Sequence, residues 1–136
     1  MTLVVDASTV VAALVDAGPL GAWAEAMVVA GPLAAPHLMP AEAANILRRT
    51  ALTGEISADV AALAHDDLLA LPVELFPYTP LASRVWELRA KVTAYDAWYV
   101  ALAETLGVEL ATLDVKLSRA PGPRCTLATP PPEKLS

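Results

Sequence analysis

Apolar residues along the chain follow two alternating patterns, short runs of strand length and longer segments with helical spacing. "TLVV" at 2–5 is a β-branched run, typical of a strand that is buried on both faces. The next segment, from Ser8 to Asp16, is predicted as a helix that ends near Gly18 and Pro19. The same alternation continues along the chain. It predicts further strands at 33–38, 73–78, 108–113 and 125–128, and further helices at 20–30, 40–54, from 57 onward, 81–92, 93–106 and 115–119.

This order of elements predicts the fold class. Strands that alternate with helices favour an α/β domain with a mostly parallel sheet. The length of 136 residues suits one compact domain, and no internal linker divides it. We therefore expect one folded domain over residues 1–128. The Pro-rich segment "TPPPEKLS" at 129–136 is predicted to be a flexible tail.

Composition and charge narrow the classes of protein to which this chain can belong. The chain is 56% hydrophobic, but charges, Pro and Gly interrupt every stretch long enough to span a membrane. Cys125 is the one cysteine and has no disulfide partner within the chain, and no basic leader precedes the first strand. These features predict a cytoplasmic protein with no membrane contact. The net charge of −6 argues against a general electrostatic grip on nucleic acid.

Four acidic residues are predicted at the carboxyl edge of the sheet, where ligands bind in such folds. Asp6 directly follows the first strand, and Asp114 directly follows the strand that contains "ELATL". Glu42 lies in the first turn of the helix after "APHL", and Asp96 lies in the first turn of the helix capped by Thr93. All four side chains are therefore expected to meet at one edge.

Each of these carboxylates also has a simple structural explanation. Thr93 and Asp96 have capping-box spacing, Glu42 complements a helix dipole, and Asp6 and Asp114 suit helix N-caps. As a set, however, they repel one another unless they take up protons or share a cation. Oxygen-only ligands favour Mg²⁺ or Mn²⁺, and such an ion suits phosphate chemistry. This hypothesis also answers the objection from net charge, because the cation supplies positive charge locally.

Four blocks of sequence resemble those of the PIN-domain nucleases, and especially the VapC toxins of bacterial type II toxin–antitoxin systems. They are "VVDAS" at 4–8, "PAEAANILRR" at 40–49, "TAYDAWYVALAE" at 93–104 and "LATLDVKL" at 110–117, and the similarity extends from Thr2 to about Ala128. The resemblance implies a three-layer α/β/α sandwich and Mg²⁺- or Mn²⁺-dependent cleavage of RNA phosphodiesters. It also implies a homodimer and a cognate VapB-like antitoxin.

The resemblance assigns roles to individual residues. Catalytic positions correspond to Asp6, Glu42, Asp96 and Asp114, with Asp6 and Asp96 as direct metal ligands and the other two as further or water-mediated ligands. Some family members have another acidic residue where this chain has Lys116, so one metal ion is expected here rather than two. Ser8 and Thr112 match polar positions of the family and are expected to orient a carboxylate or a metal-bound water; the alternatives are a helix-start hydroxyl for Ser8 and a β-branched strand residue for Thr112. Asn45, one turn after Glu42, is expected to point the same way.

Basic residues near the acidic blocks are candidates for contacts with RNA phosphates. They are Arg84, Arg89, Lys91, Lys116 and Arg119. Arg48 and Arg49 end a helix, where cations suit the dipole, although contact with RNA or an acidic partner is the alternative. Trp23, Trp86, Trp98 and Tyr99 are interpreted as core or dimer packing.

Two other functions compete with the nuclease hypothesis. The first is a PIN-fold module that binds RNA or a protein without cleaving it. The second is a phosphotransfer protein with Asp6 as nucleophile. That chemistry usually needs a second Asp two positions further on, where this chain has Ser8.

Overall fold

The structure of the protein is a computed structural model, which describes residues 1–132. It is built around a five-stranded sheet in which every strand pair is parallel. The strand order is β3-β2-β1-β4-β5. The strands are β1 (Leu3–Val5), β2 (Leu33–Pro36), β3 (Val73–Phe76), β4 (Leu110–Ala111) and β5 (Leu127–Ala128). All five predicted strands are present, though most are shorter than predicted. The predicted α/β class with a parallel sheet is confirmed.

Seven α-helices are described, and local capping signals set several of their ends. They are α1 (Ala7–Val15), α2 (Pro19–Val29), α3 (Met39–Leu52), α4 (Ala58–Ala70), α5 (Ala82–Glu87), α6 (Ala94–Leu106) and α7 (Val115–Arg119), with a short 3₁₀ turn at Thr79–Leu81. The hydroxyls of Ser57 and Thr93 cap α4 and α6. Helix α6 ends at Gly107, whose left-handed φ of 68° suits a residue without a Cβ.

The strand order places the helices in two layers. From β1 the chain moves through β2 to β3 in one direction, then returns to β4 beside β1 and continues to β5 in the other. Because parallel crossovers are right-handed, α1–α4 and α5–α7 lie on opposite faces of the sheet. Helix α1 accordingly contacts α2, α3 and α4, whereas α5 contacts α6. The result is a three-layer α/β/α sandwich in which strand order reverses between β1 and β4.

The core lies on both sides of β1. Val4 and Val5 are fully buried, as is Leu110 on the neighbouring strand β4. Helix α6 contacts β1, β2 and β4, and its buried residues extend around most of its surface. A helix that is apolar on most sides belongs in the interior of a domain. The central strands and α6 therefore form a rigid frame that carries the residues at its carboxyl edge.

Helices α1 and α2 meet at a sharp corner. The Asp16 carboxylate accepts a hydrogen bond from the Gly18 N–H at 2.7 Å, and Gly21 packs directly against the Asp16 carbonyl, where a Cβ would come within 1.8 Å. The two helix axes are bent by 113°. Within residues 1–132, no single helix is long and apolar enough to cross a bilayer, and α1 and α2 meet that criterion only as this bent pair.

Besides the strands, the helix before α6 also differs from the prediction. The helix predicted at 81–92 is shorter, because α5 ends at Glu87 and the chain continues as turns to Thr93. Thr93 needs an extended backbone (φ −65°, ψ 159°) to cap α6, so one continuous helix cannot pass through it. Within the predicted flexible tail at 129–136, Pro130 is buried. Residues 133–136 lie outside the described part of the chain, and for them the prediction stays open.

Candidate functional site

The four predicted carboxylates line one pocket at the carboxyl edge of the sheet. Asp6 and Asp114 follow the neighbouring strands β1 and β4, where the strand order reverses, while the first turns of α3 and α6 supply Glu42 and Asp96. We call this cavity of about 260 Å³ the acid pocket. Its lining comprises Asp6, Ala7, Ser8, Glu42, Asn45, Ile46, Arg49, Asp96, Tyr99 and Asp114. The position matches the ligand crevice of open α/β sheets.

Three donors hold the Asp6 carboxylate in one orientation. Its Oδ1 accepts from the Ser8 hydroxyl at 2.7 Å and from the Thr9 N–H at 2.9 Å, and its Oδ2 accepts from the Thr112 hydroxyl. Burial raises the pKa of Asp6, and the hydrogen bonds from Thr112, Thr9 and Ser8 offset only part of that rise. Asp6 is therefore a fixed carboxylate at which a further positive partner is favoured.

The two hydroxyls also tie Asp6 to the turn after β4. Thr112 is fully buried, and its Oγ1 accepts from the Asp114 N–H at 3.0 Å. The Ser8 Oγ accepts a longer bond of 3.4 Å from the Leu113 N–H. Ser8 and Thr112 thus both donate to the Asp6 carboxylate, whereas Asn45 is an exposed residue in the pocket wall.

Like charge accumulates around Asp96. Burial raises the pKa of its carboxyl, and the charges of Asp114, Asp6 and Glu42 raise it further, in that order. The structural explanations from the sequence also hold in part, since Thr93 caps α6 and Asp114 accepts from the N–H groups of Lys116 and Leu117 at the start of α7. Capping accounts for where Asp114 lies, but not for four carboxylates in one pocket.

Tyr99 belongs to the site, although the sequence suggested packing. It is buried, and its hydroxyl donates to Glu42 Oε1 at 2.7 Å, across 57 positions of the chain. Burial raises the pKa of Tyr99, and the Glu42 carboxylate raises it further, so the phenol keeps its proton and acts as a donor. The signal in the sequence is the spacing, because Asp96 and Tyr99 are one turn apart on α6.

Arg49 is the cation in the wall of the acid pocket. Glu42, Asn45 and Arg49 recur at helical spacing on α3, so one face of the helix presents all three to the pocket. No ion pair within 4 Å joins Arg49 to a carboxylate anywhere in residues 1–132. The acid pocket is therefore not neutralised by this arginine.

The donor chemistry of the acid pocket fits a hard divalent cation. Its charged oxygens all come from carboxylates, and no histidine or cysteine lines it. Such a set suits Mg²⁺ or Mn²⁺ rather than zinc. Across residues 1–132, no group of three or more Asp, Glu, His or Cys side chains is arranged so that it could hold a metal ion. The four carboxylates thus line one pocket without forming a ready-made coordination site.

A second cavity continues from the acid pocket and is lined by basic residues. We call this space of about 480 Å³ the basic cavity, and it shares Asp96 and Asp114 with the acid pocket. Its cations are Arg89, Lys91 and Lys116. Three of the five predicted phosphate contacts are therefore brought together beside the carboxylates. Arg119 is exposed on α7 but does not line the cavity.

Arg84, the remaining phosphate candidate, is engaged elsewhere. Its Nε donates to Glu104 Oε1 at 2.7 Å, and its Nη2 donates to Glu104 Oε2 at 3.1 Å and to the Gly122 carbonyl at 2.8 Å. Its side chain is 19% exposed. A bidentate, largely buried pair fixes packing between α5, α6 and the 120–124 segment. The structure therefore favours a structural role for Arg84 and does not bring it to the basic cavity.

Comparison with known proteins identifies the family. The model of the PIN domain matches residues 3–123, so the chain belongs to the PIN-domain family. It is 45% identical to ribonuclease VapC1 of Mycobacterium tuberculosis over 130 residues, covering 91% of this chain and 94% of that protein.

Solved structures share the fold. PAE2754 from Pyrobaculum aerophilum is 25% identical, with a TM-score of 0.70 and coverage of 93% of this chain and 83% of that one. A chain of VapBC2 from Rickettsia felis, solved bound to a DNA fragment from their promoter, is 14% identical, with a TM-score of 0.65 and coverage of 95% and 98%. The predicted fold family is confirmed.

Proposed function

We propose that this protein is a metal-dependent endoribonuclease that hydrolyses RNA phosphodiester bonds and acts as the toxin of a toxin–antitoxin pair. The acid pocket carries this proposal, because four carboxylates from distant parts of the chain meet there in a PIN domain. Strong similarity to a VapC ribonuclease over nearly the whole chain supports the choice of RNA. The same similarity supports the toxin assignment.

Asp6 and Asp96 are the proposed direct ligands of Mg²⁺ or Mn²⁺, with Glu42 and Asp114 as further ligands or ligands through water. When bound, the ion would lower the pKa of a water molecule and neutralise charge on the phosphate. The raised pKa values of Asp6 and Asp96 support this assignment, because both carboxylates gain from a cation. Lys116 lies in the wall beside Asp114, and this positive charge favours one ion over two.

Neighbouring residues hold the ligands in place. Ser8 and Thr112 fix the Asp6 carboxylate, and Tyr99 holds one oxygen of Glu42 while leaving the other available. Asn45 adds an amide to the pocket wall. These contacts preorganise the carboxylates before substrate binds, which is how a site limits reorganisation during reaction.

The proposed partners are an RNA substrate, a second copy of the chain and a VapB-like antitoxin, and the proposed location is the cytoplasm. A chain of VapBC2, which was solved bound to a DNA fragment from their promoter, has the same fold. The chain has exposed apolar side chains that suit protein contacts, among them Leu52, Leu63 and Leu69.

Cleavage of RNA by the purified protein with and without Mg²⁺ tests the proposal. Asp6→Asn should abolish cleavage while the circular dichroism spectrum stays unchanged. Asp59→Asn, which removes an exposed carboxylate at the start of α4, is the control and should cleave normally. Equal cleavage by the Asp6 variant would refute the site assignment. Tight, metal-independent RNA binding without cleavage would instead support the binding-module alternative.

A further inference from the structure

We propose that Trp86 and Arg89 form a stacking platform for an unpaired RNA base, next to phosphates held in the basic cavity. This inference rests on the proposed function, because it takes RNA as the ligand, and it specifies that the bound RNA is single-stranded. Its basis is an exposed tryptophan, an arginine fixed upon it, and a run of unpaired cations that leads to the carboxylates.

Trp86 is exposed in a way that core packing does not explain. Its side chain lies on α5 and is 65% exposed. Large aromatic residues dominate interfaces when they are left on a surface, because their burial by a ligand is strongly favourable. Of the two sequence interpretations of Trp86, core packing or dimer packing, this exposure rules out only the core. The ring instead offers a flat apolar surface to a binding partner.

Arg89 is held against this ring by two contacts. Its guanidinium carbon lies 4.7 Å from the centre of the Trp86 ring, and its Nη1 donates to the Trp86 carbonyl at 2.8 Å. Both contacts are made within one turn of chain, so they persist without any partner. Guanidinium planes and aromatic rings are the surfaces on which proteins stack unpaired bases. Trp86 and Arg89 therefore present a preorganised platform.

The platform is connected to the proposed catalytic centre. Arg89 lines the basic cavity, and that cavity shares Asp96 and Asp114 with the acid pocket. Lys91 and Lys116 line the same cavity, and Trp86, which lies outside it, is joined to it through Arg89. An RNA strand that places one phosphate at the carboxylates places its neighbouring nucleotides along this cavity.

The cations of the basic cavity have no carboxylate partners. In residues 1–132, the only ion pairs within 4 Å are those of Arg84 with Glu87 and Glu104. Arg89, Lys91 and Lys116 stay unpaired even though the chain has a net charge of −6 and Asp96 and Asp114 lie in the same cavity wall. Unpaired cations beside an acidic centre suit a ligand in which the reacting phosphodiester is followed by further phosphates, as in a nucleic-acid strand.

Single-stranded RNA matches both parts of this surface, the cations of the basic cavity and the platform of Trp86 and Arg89. Its phosphates match the three cations, and its unstacked bases expose faces that match the platform. In a duplex the bases are stacked on one another, so the platform has nothing to bind. The acidic segment of a protein partner would use the cations without needing the ring, and the experiment below separates the two.

Binding of a fluorescent single-stranded RNA, measured by anisotropy in EDTA so that no cleavage occurs, tests the platform. Trp86→Ala should raise Kd about tenfold, and Trp86→Phe should stay within about threefold of the original. Val29→Ala, which removes part of an exposed apolar side chain (79%) at the end of α2, should leave Kd unchanged. A duplex of the same sequence should show no difference among the variants.

An abasic nucleotide, moved one position at a time along the RNA, provides a second readout. At one position it should weaken binding to the original protein about tenfold and add nothing to the loss in Trp86→Ala. The inference is overturned if Trp86→Ala binds as tightly as the original. It is also overturned if the variant instead shifts the monomer–dimer equilibrium or antitoxin binding while RNA affinity holds.

Salt dependence tests the cations separately. Lys91→Gln and Lys116→Gln should each reduce the slope of log K against log salt by about 0.7 for a single strand. Arg124→Gln removes the same charge from an exposed residue outside the basic cavity and should leave the slope unchanged. Equal slopes for all three variants would overturn the phosphate contacts of the basic cavity. Because every arm is measured without metal, absence of cleavage would count against the proposed function alone.

Discussion

Helix α6 carries two carboxylates in opposite electrostatic situations. Asp96 lies in its first turn and Glu104 near its end, about 12 Å further along the axis. Glu104 receives two hydrogen bonds from Arg84 and one from the Arg124 N–H, whereas Asp96 faces three other carboxylates. Among residues 1–132, one helix therefore holds a carboxylate that has a cation partner and another that does not.

The pKa values record this contrast. Burial alone would raise the pKa of Glu104, but the hydrogen bonds and charges of Arg84 and the Arg124 N–H outweigh it and leave the pKa lowered. For Asp96, burial and the charges of the three neighbouring carboxylates all raise the pKa. A carboxylate that stabilises a fold has its cation built in. A carboxylate left without one, in a cleft, indicates a site for an outside ligand.

The largest effect is expected from Asp96→Asn. Cleavage should fall at least about 100-fold, because a metal ligand contributes several kcal/mol to catalysis. In metal-free buffer the free energy of unfolding should nevertheless rise by about 1 kcal/mol, since a charge that burial and three like charges penalise is removed. RNA cleavage and urea denaturation measure the two quantities.

Asp67→Asn is the control for this change, because it removes an exposed carboxylate from α4 and should alter neither quantity. Mg²⁺ should then stabilise the original protein more than the Asp96 variant. A loss of stability in Asp96→Asn with cleavage intact would place Asp96 among the structural carboxylates and remove the contrast with Glu104.

An intermediate effect is expected from Glu104→Gln. The substitution leaves the Arg84 guanidinium without its countercharge in a pair whose side chains are 19% and 15% exposed. The free energy of unfolding should fall by about 2 kcal/mol, with kcat for RNA cleavage unchanged. Glu87→Gln, which removes the exposed partner of Arg84 at 4.0 Å, should change stability by less than about 0.5 kcal/mol.

The pH dependence of the Glu104→Gln effect has a definite sign. The folded pKa of Glu104 lies below its ordinary value of 4.5, so the charged form stabilises the fold above that value. This contribution is lost as pH falls through the folded pKa. The difference between the original protein and the variant should therefore be full at pH 7 and shrink as the pH falls below 4.5. A difference that grows on acidification would contradict the pairing.

Much of the candidate site could be predicted from strand ends. The run "LVV" fixes β1, and parallel pairing of β1 with β4 brings Asp6 and the turn of Thr112 and Asp114 together. Helix signals then place Glu42 and Asp96 in first turns. These inferences succeed because period and capping are local properties of the chain, and a parallel sheet gives all strand ends one edge.

Other features depend on contacts that no local pattern encodes. Arg84 resembled the other basic residues near the site, and only its pairing with Glu104, 20 positions away, separates it from them. Tryptophan is a residue type typical of cores and interfaces, and the sequence did not indicate that Trp86 lies exposed on the short helix α5. Tyr99 also looked like packing, and it is indeed buried, but its hydroxyl reaches across to α3.

The smallest effect is expected from Tyr99→Phe. Tyr99 lies on α6 between Asp96 and Glu104. The phenyl ring keeps the packing, while Glu42 loses a hydrogen bond of 2.7 Å and turns its freed oxygen towards water. Stability should fall by about 1 kcal/mol and kcat about fivefold, with KM unchanged. Tyr95→Phe removes the same hydroxyl from an exposed position on α6 and should match the original protein in both. If Tyr99→Phe lowers stability but not kcat, Tyr99 belongs with Glu104 as a structural residue, because Glu42 then works without its donor.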